Sequence, residues 1–265
     1  MLKKFFAGTL SILLSFTLLS AQVSGLAAGK SVNETLTERG YPTAVLETLC
    51  EEAKAELVNR NCYFESAQKD LYDENGALIA SYDLGQQNQR TPRGQIQASH
   101  LSLSIVISRT STNAKNVTYN YDWKTLPVNR WQDPIGVSWD SNCFYIQGGS
   151  FHKVDKYIYY NRGVGTPITG TQSDEWAYAS AYANGCTWYA DLKGYSSLYD
   201  ITDLYGYATF TLIPKTSGGT SQLYGKYVHN KLMTGVSLSI PGFGSISVNG
   251  GSNYDELGNQ TTIVW

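Results

Sequence analysis

Three observations predict a mainly β fold, most simply an antiparallel β-sandwich. Apolar and polar residues alternate over residues 101–107 and again over 117–123, which is the period of a strand with one buried face. Turn-forming residues separate further short candidate strands as far as Trp265. No helical period occurs after about residue 62. Many short strands without intervening helices are typical of a sandwich, and a β-barrel is the alternative.

The start of the chain has the pattern of a secretory signal peptide. Lys3 and Lys4 precede an apolar run over residues 5–19, and the small residues Ala27 and Ala28 follow. The run is shorter than the ~20 residues that a transmembrane helix needs. We therefore expect a secreted, extracellular bacterial protein without a permanent membrane anchor.

The next part of the chain is polar and is predicted to contain one amphipathic helix. Its first residues show no clear pattern, so we expect a mobile start. The helical spacing of Leu46, Leu49 and Leu57 predicts a helix over about residues 43–60 that packs this face on the sheet. The predicted organisation is therefore a signal peptide over residues 1–28, a polar N-terminal segment with this helix over 29–75 and an antiparallel β domain over 76–265.

The charge of the chain limits its partners. The formal net charge is −2, and it becomes more negative when the leader lysines are removed. Lysine and arginine are scattered rather than clustered, so the chain offers no basic surface for nucleic acid. A glycan or a protein at a cell surface is the expected partner, and no cofactor is expected.

Four cysteines in an exported chain predict disulfide bonds. The predicted helix separates Cys50 from Cys62 by more than the ~7 Å that a bridge allows between Cα atoms. Cys143 and Cys186 both lie in predicted strands. We therefore expect these two to pair.

No catalytic residue and no metal site is predicted. The three histidines, His100, His152 and His229, are far apart in sequence, and no GxSxG or HExxH motif surrounds them. Whether they converge in space is left open. An enzyme would need His152 or His229 beside an acid or a nucleophile in a cleft. A secreted hydrolase is therefore the second alternative for function.

Aromatic residues are the main candidates for a binding surface, because the chain contains 20 Tyr and 6 Trp. Such side chains fill wide cores, and they also form surfaces that bind sugars or proteins. Trp131 falls in a connection between two prolines rather than in a strand. The candidate ligand-binding residues are Trp131, Tyr157, Tyr159, Tyr178 and Tyr182.

Residues 234–248, TGVSLSIPGFGSISV, suggest a first alternative, a pore-forming or membrane-active β toxin. Apolar residues alternate with serine on both sides of a PGFG tip, and Ile240, Phe243 and Ile246 are the candidate membrane-contacting residues. Each arm has about seven residues, whereas a transmembrane strand needs ~9 to 11. An ordinary surface hairpin is therefore favoured. The favoured function is a secreted, non-enzymatic β-sandwich that binds a surface glycan or protein.

Overall fold

The computed structural model describes residues 30–85, 100–110, 113–159, 168–177, 180–192, 194, 199–216, 218–232 and 235–265. The predicted signal peptide lies outside these residues. The helices are α1 (Val32–Glu38), α2 (Thr43–Leu46) and α3 (Glu51–Asn59). The strands are β1 (Tyr63–Tyr72), β2 (Leu78–Asp83), β3 (Leu101–Arg109), β4 (Lys115–Trp123), β5 (Gln132–Trp139), β6 (Cys143–Tyr159), β7 (Ile168–Ala177), β8 (Ser180–Tyr182), β9 (Gly185–Asp191), β10 (Tyr199–Pro214), β11 (Thr220–Asn230), β12 (Ser237–Gly242), β13 (Ser245–Asn249) and β14 (Tyr254–Val264).

The strands form antiparallel sheets. A seven-stranded sheet has the order β2-β1-β3-β4-β10-β6-β7, and a five-stranded sheet has the order β14-β11-β5-β9-β8. The hairpin β12–β13 is a separate two-stranded sheet. Within the described residues each sheet is open rather than closed into a barrel. The prediction of a mainly β, antiparallel sandwich is thus confirmed.

The main core lies between the two large sheets. Trp139 on β5 and Trp188 on β9 come from the five-stranded sheet, and Phe210 on β10 comes from the seven-stranded sheet. The Phe210 ring lies 5.6 Å from the Trp139 ring and 6.0 Å from the Trp188 ring, measured between centroids. Aromatic pairs at this spacing contribute beyond their buried area. Trp139 is fully buried, as its position on the apolar phase of its strand predicts.

The three helices cover the outer face of the seven-stranded sheet. Leu46, Leu49 and Leu57 are all buried there, in one cluster with Val106 and Tyr207 of the sheet. The predicted packing of this leucine face is confirmed. Because helices cover one face and the second sheet covers the other, β3 is buried on both faces along all but its last residue.

The single helix predicted over residues 43–60 is divided. Helix α2 ends at Leu46, and α3 begins only at Glu51, after Cys50 has taken extended backbone angles as its N-cap. The Thr48 hydroxyl donates to the Val45 carbonyl at 2.7 Å, so a side chain satisfies a backbone acceptor near the break. Glu51 and Glu52 then occupy the first turn of α3, where the helix dipole favours acids.

The polar start of the chain, which we expected to be mobile, contains α1. Ser31 caps this helix: its hydroxyl accepts from the backbone N–H of Glu34, whose carboxylate accepts from the backbone N–H of Ser31. This is a capping box, and its Ser-x-x-Glu pattern is present in the sequence. No helix in the described part of the chain is long and apolar enough to cross a bilayer.

The predicted bridge between Cys143 and Cys186 is not formed, and all four cysteines are free thiols. Cys143 begins β6 in the seven-stranded sheet, whereas Cys186 lies on β9 in the five-stranded sheet. The two strands lie in different sheets and are not paired with each other. Both thiols are instead buried in the main core as small apolar groups.

Candidate functional site

A cleft of about 730 Å³ lies along β14, the edge strand of the five-stranded sheet. We call it the edge cleft. Strands β1 and β2 contribute Gln68, Asp70 and Ser81 to its lining, β14 contributes Asn259, and the hairpin β12–β13 contributes residues around its tip. Strand β11 contributes Tyr224, Gly225 and Lys226, so four separate parts of the chain meet at one concave surface.

A hydrogen-bonded group of side chains forms the β1–β2 side of the edge cleft. The Gln68 amide donates to the Ser81 hydroxyl at 2.5 Å, and this hydroxyl donates to Asp70 Oδ1 at 2.5 Å. Gln68 also donates to the same oxygen at 3.2 Å. These contacts hold Asp70, which is only 4% exposed, with a carboxylate facing a polar cleft. A carboxylate held in this way accepts hydrogen bonds from a hydroxyl-bearing ligand.

Asn259 is the unusual residue on the β14 side. Its side chain is 6% exposed, and neither Oδ1 nor Nδ2 has a hydrogen-bond partner. A buried amide without partners costs free energy, because both groups lose their hydrogen bonds to water. The wall of the cleft thus holds a donor and an acceptor that have no partner and are shielded from solvent, so a ligand reaches them only by displacing the atoms that cover them.

Gly225 on β11 makes room for this amide. Gly225 is paired with Asn259 across the β11–β14 ladder. A Cβ at Gly225 would stand 2.6 Å from Asn259 Oδ1 and 2.3 Å from Cε2 of Tyr119, both well inside contact distance. Only glycine therefore allows the amide and the Tyr119 ring to occupy their observed places.

The third side of the edge cleft combines an aromatic ring with a paired cation. Tyr224 on β11 is half-buried and lines the cleft. Lys226 donates to the Ile246 carbonyl at 2.9 Å and forms an ion pair with Glu256. The lysine charge is thus already neutralised. Together with the Asp70 carboxylate, this arrangement favours a neutral ligand over an anionic one.

A second polar cluster is buried at the end of β11. Asp133 on β5 is fully buried, and its Oδ2 accepts from the Tyr227 hydroxyl at 2.6 Å and lies 2.9 Å from His229 Nδ1. The backbone N–H of Asn230 donates to Oδ1 at 2.9 Å. Burial raises the pKa of Asp133, and the hydrogen bond and charge of His229 oppose this rise.

His229 is also part of the lining of another cleft, of about 470 Å³, that includes His100 and Trp123. The ring of Trp123 lies edge-on to that of His229, with centroids 4.8 Å apart. The structure thus brings two of the three histidines to one cleft and sets one of them beside an acid. Among the described residues, no Ser, Thr or Cys hydrogen-bonds to the ring of His229.

No metal centre is present in the part of the chain that the structure describes, since no three His, Cys, Asp or Glu side chains there are grouped to hold an ion. The third histidine, His152, lies on β6 with its backbone opposite Tyr207. Its side chain is outside the described part of the structure.

Of the aromatic residues predicted to bind ligand, the structure describes the side chains of only two. Trp131 and Tyr182 are half-buried and line neither of these two clefts. Tyr178 lies outside the described residues, and for Tyr157 and Tyr159 on β6 only the backbone is described. Ligand binding by these five residues stays a prediction. Of the hairpin residues, Ile240 is buried, Ile246 is half-buried and Phe243 at the tip is 48% exposed.

Comparison with known proteins identifies no family. No protein-family model matches the chain, and no curated protein matches it. A solved structure described as "Pore forming protein" aligns over 62% of this chain and 86% of its own, with 12% sequence identity and a TM-score of 0.32. A likeness this weak supports no conclusion about function.

Proposed function

We propose that the protein is a secreted, non-enzymatic β-sandwich that binds a neutral surface glycan in the edge cleft. The observation that carries this proposal is the unpartnered Asn259 amide. A buried amide without hydrogen bonds lowers stability, and such groups in native proteins are usually completed by a ligand or an ordered water molecule.

The other groups of the edge cleft match the chemistry of a sugar. Adjacent hydroxyls need paired donors and acceptors, which Asp70 and Gln68 supply on the β1–β2 side of the cleft. The Asn259 amide supplies a further pair once the ligand has displaced the atoms that cover it. The Tyr224 ring offers an apolar surface for the C–H face of a sugar ring. A concave site of this size suits a short oligosaccharide better than a flat protein surface. The partner is expected to be part of a cell surface, with no role for nucleic acid or a cofactor.

The test is a screen of the purified protein against an array of neutral and acidic oligosaccharides, followed by titration calorimetry with the sugars that bind. Asn259→Ala is expected to weaken binding roughly tenfold or more, because it removes a donor and an acceptor for the ligand. The same variant should be as stable as the wild type or more stable, since it removes an unsatisfied buried group.

Two further variants complete the experiment. Gln68→Ala alters the opposite side of the cleft and should also weaken binding. Gln132→Ala changes an exposed residue on β5 outside the cleft and should leave binding unchanged. Absence of any sugar binding by the wild type, or equal binding by Asn259→Ala and the wild type, would contradict the proposal and leave a water molecule as the partner of Asn259.

The His229–Asp133 pair favours a second candidate function, a secreted hydrolase. An acid that orients a histidine beside a cleft is one part of a catalytic triad. A screen with chromogenic ester and glycoside substrates tests this candidate. Turnover that is abolished by His229→Gln but retained by Asn259→Ala would support it. If no substrate is turned over, the hydrolase candidate is rejected. The His229–Asp133 pair then has the structural role of joining β5 to β11.

A further inference from the structure

The small hairpin β12–β13 is the outer half of a longer hairpin whose inner half is β11–β14. The inner ladder ends at the pair Asn230–Tyr254, and the backbone N–H of Lys231 still donates to the Asn253 carbonyl at 3.0 Å. The outer ladder begins at the pair Ser237–Asn249. The two ladders therefore follow one another along the same two arms, and the pairing register shifts by two residues between them.

The outer half is folded back over the outer face of the five-stranded sheet. Leu238 near the start of β12 lies against Gly136, which is paired with Lys226. At the tip, the Gly244 N–H donates to the Trp139 carbonyl at 2.9 Å, and Trp139 is paired with Leu223. The hairpin thus points back along β11. As it approaches its tip, it passes β11 residues that lie nearer the start of that strand.

Glycines at the bend allow this reversal. Gly250 and Gly251 have φ angles of 76° and 65°, a region that side chains disfavour. A Cβ at Gly250 would also stand 2.5 Å from the Gly235 carbonyl oxygen on the other arm. Both arms of the hairpin therefore contribute glycine where the chain reverses direction.

The two faces of the folded-back hairpin differ in polarity. Val236, Leu238 and Ile240 face the sandwich and are at most 6% exposed. Glycines of the sheet give them space, since a Cβ at Gly185 would stand 2.3 Å from Ile240 Cδ1. The other face presents serine and asparagine, including the cross-strand pair Ser239–Ser247. An apolar face opposite a polar one is the pattern of a strand between lipid and a water-filled lumen.

The sequence pattern suggests arms that are too short to cross a bilayer. Straightening the bend would lengthen both arms of the hairpin. The paired strands β12 and β13 have only six and five residues. When the bend is straightened and both ladders keep their register, the arms run over residues 231–242 and 245–253, and the offset between the ladders becomes a β-bulge. Both then reach the ~9 to 11 residues that a transmembrane strand requires.

We propose that this hairpin detaches from the sandwich, straightens and inserts into a lipid bilayer together with the hairpins of other copies. Association is required because a lone hairpin would expose the unpaired backbone groups of both its edges to lipid. A closed barrel formed by several copies pairs all of these groups. The apolar face that is now packed on Gly136 and Gly185 becomes the lipid-facing surface, and the serine face lines the lumen.

The test is dye release from vesicles by the purified protein, with the hairpin tethered by a disulfide. The double variant Gly136→Cys with Leu238→Cys joins the hairpin to the sheet where a Cβ at Gly136 would stand 3.0 Å from Leu238 Cδ1. Vesicles of phosphatidylcholine, with and without phosphatidylglycerol or glycolipid, are the targets. The oxidised variant is expected to release dye at least about tenfold more slowly than the same variant after reduction, because the bridge must break before the hairpin can leave.

The matched control is the double variant Ser239→Cys with Ser247→Cys, which joins the two arms of the hairpin and leaves it free of the sheet. This variant should release dye at similar rates when oxidised and when reduced, as should the wild type treated with the same oxidant. Equal release by the oxidised and reduced forms of the tethered variant would overturn the proposal, as would the absence of release from all vesicles by the wild type. Because vesicles without glycan are included, this outcome is independent of sugar binding.

Discussion

Oδ1 of Asn259 lies 2.6 Å from the point that a Cβ on Gly225 would occupy. The two residues are paired on neighbouring strands, so the glycine sets how closely the amide can approach the backbone of β11. The same point is 2.3 Å from the ring of Tyr119, which is fully buried between the sheets. Gly225 thus links the wall of the edge cleft to the packing of the main core.

Gly225→Ala is expected to destabilise the protein by about 1–3 kcal/mol, because the added methyl group displaces Asn259 and Tyr119 in a packed environment. Urea denaturation measures the change. Gly194→Ala is the matched control, since a Cβ there meets no atom of the described residues within 4 Å, and its effect should stay within about 0.5 kcal/mol. Equal stability of the two variants would show that the core adapts freely at Gly225.

Tyr41→Phe tests how the helical layer is attached to the sheet. Tyr41 precedes α2. Its hydroxyl donates to Ser108 Oγ on β3 at 2.7 Å, and both residues are buried. Removing the hydroxyl leaves Ser108 without this partner, so we expect a loss of about 1 kcal/mol in the free energy of unfolding. Tyr63→Phe, at a residue that is 39% exposed, should change stability much less. A smaller loss at Tyr41 than at Tyr63 would contradict this role.

Alternation and helical spacing in the sequence are sufficient to predict the sandwich and the leucine face of the helices. They do not predict that β3 is buried on both faces. Ser104 and Ser108 occupy the polar phase of this strand and are buried nonetheless, because the helices cover them. Burial of a polar phase depends on which element packs over it, and periodicity within one strand carries no information about that element.

The residues of the candidate site could be predicted only in part. Asn259 shares one phase of β14 with the buried residues Leu257 and Ile263, so a polar residue in an apolar phase was a signal present in the sequence. No comparable signal joins Asp133 to His229, which are 96 residues apart. Their contact results from the pairing of β5 with β11, and local pattern does not specify strand order.

The free cysteines lead to a prediction about reactivity. Burial raises the pKa of Cys143 to about 12 and that of Cys186 well above its usual range. Thiol reagents attack the thiolate, so both cysteines should react slowly in the native protein. In a colorimetric thiol assay without reductant, the native protein should react slowly. The same protein denatured in guanidinium should show four thiols. Fewer than four thiols in denaturant would instead support a disulfide such as the one predicted between Cys143 and Cys186.

The buried carboxyl of Asp133 leads to a prediction about pH. Burial raises the pKa of Asp133 in the folded protein above its ordinary value of 3.8, so the folded state binds this proton more tightly than the unfolded chain does. Asp133 therefore adds stability that is fully present below its unfolded pKa, and this contribution is lost as the pH rises through the folded pKa.

Asp133→Asn removes this titration while nearly conserving the volume of the side chain. The difference in unfolding free energy between the wild type and the variant should thus be larger at pH 3.5 than at pH 7. Urea denaturation of both proteins at several pH values measures it, and titrating groups that do not contact Asp133 cancel in the comparison. A wild-type advantage that grows as the pH rises would mean that the ion pair with His229 outweighs desolvation, and that the folded protein holds Asp133 preferentially as the carboxylate.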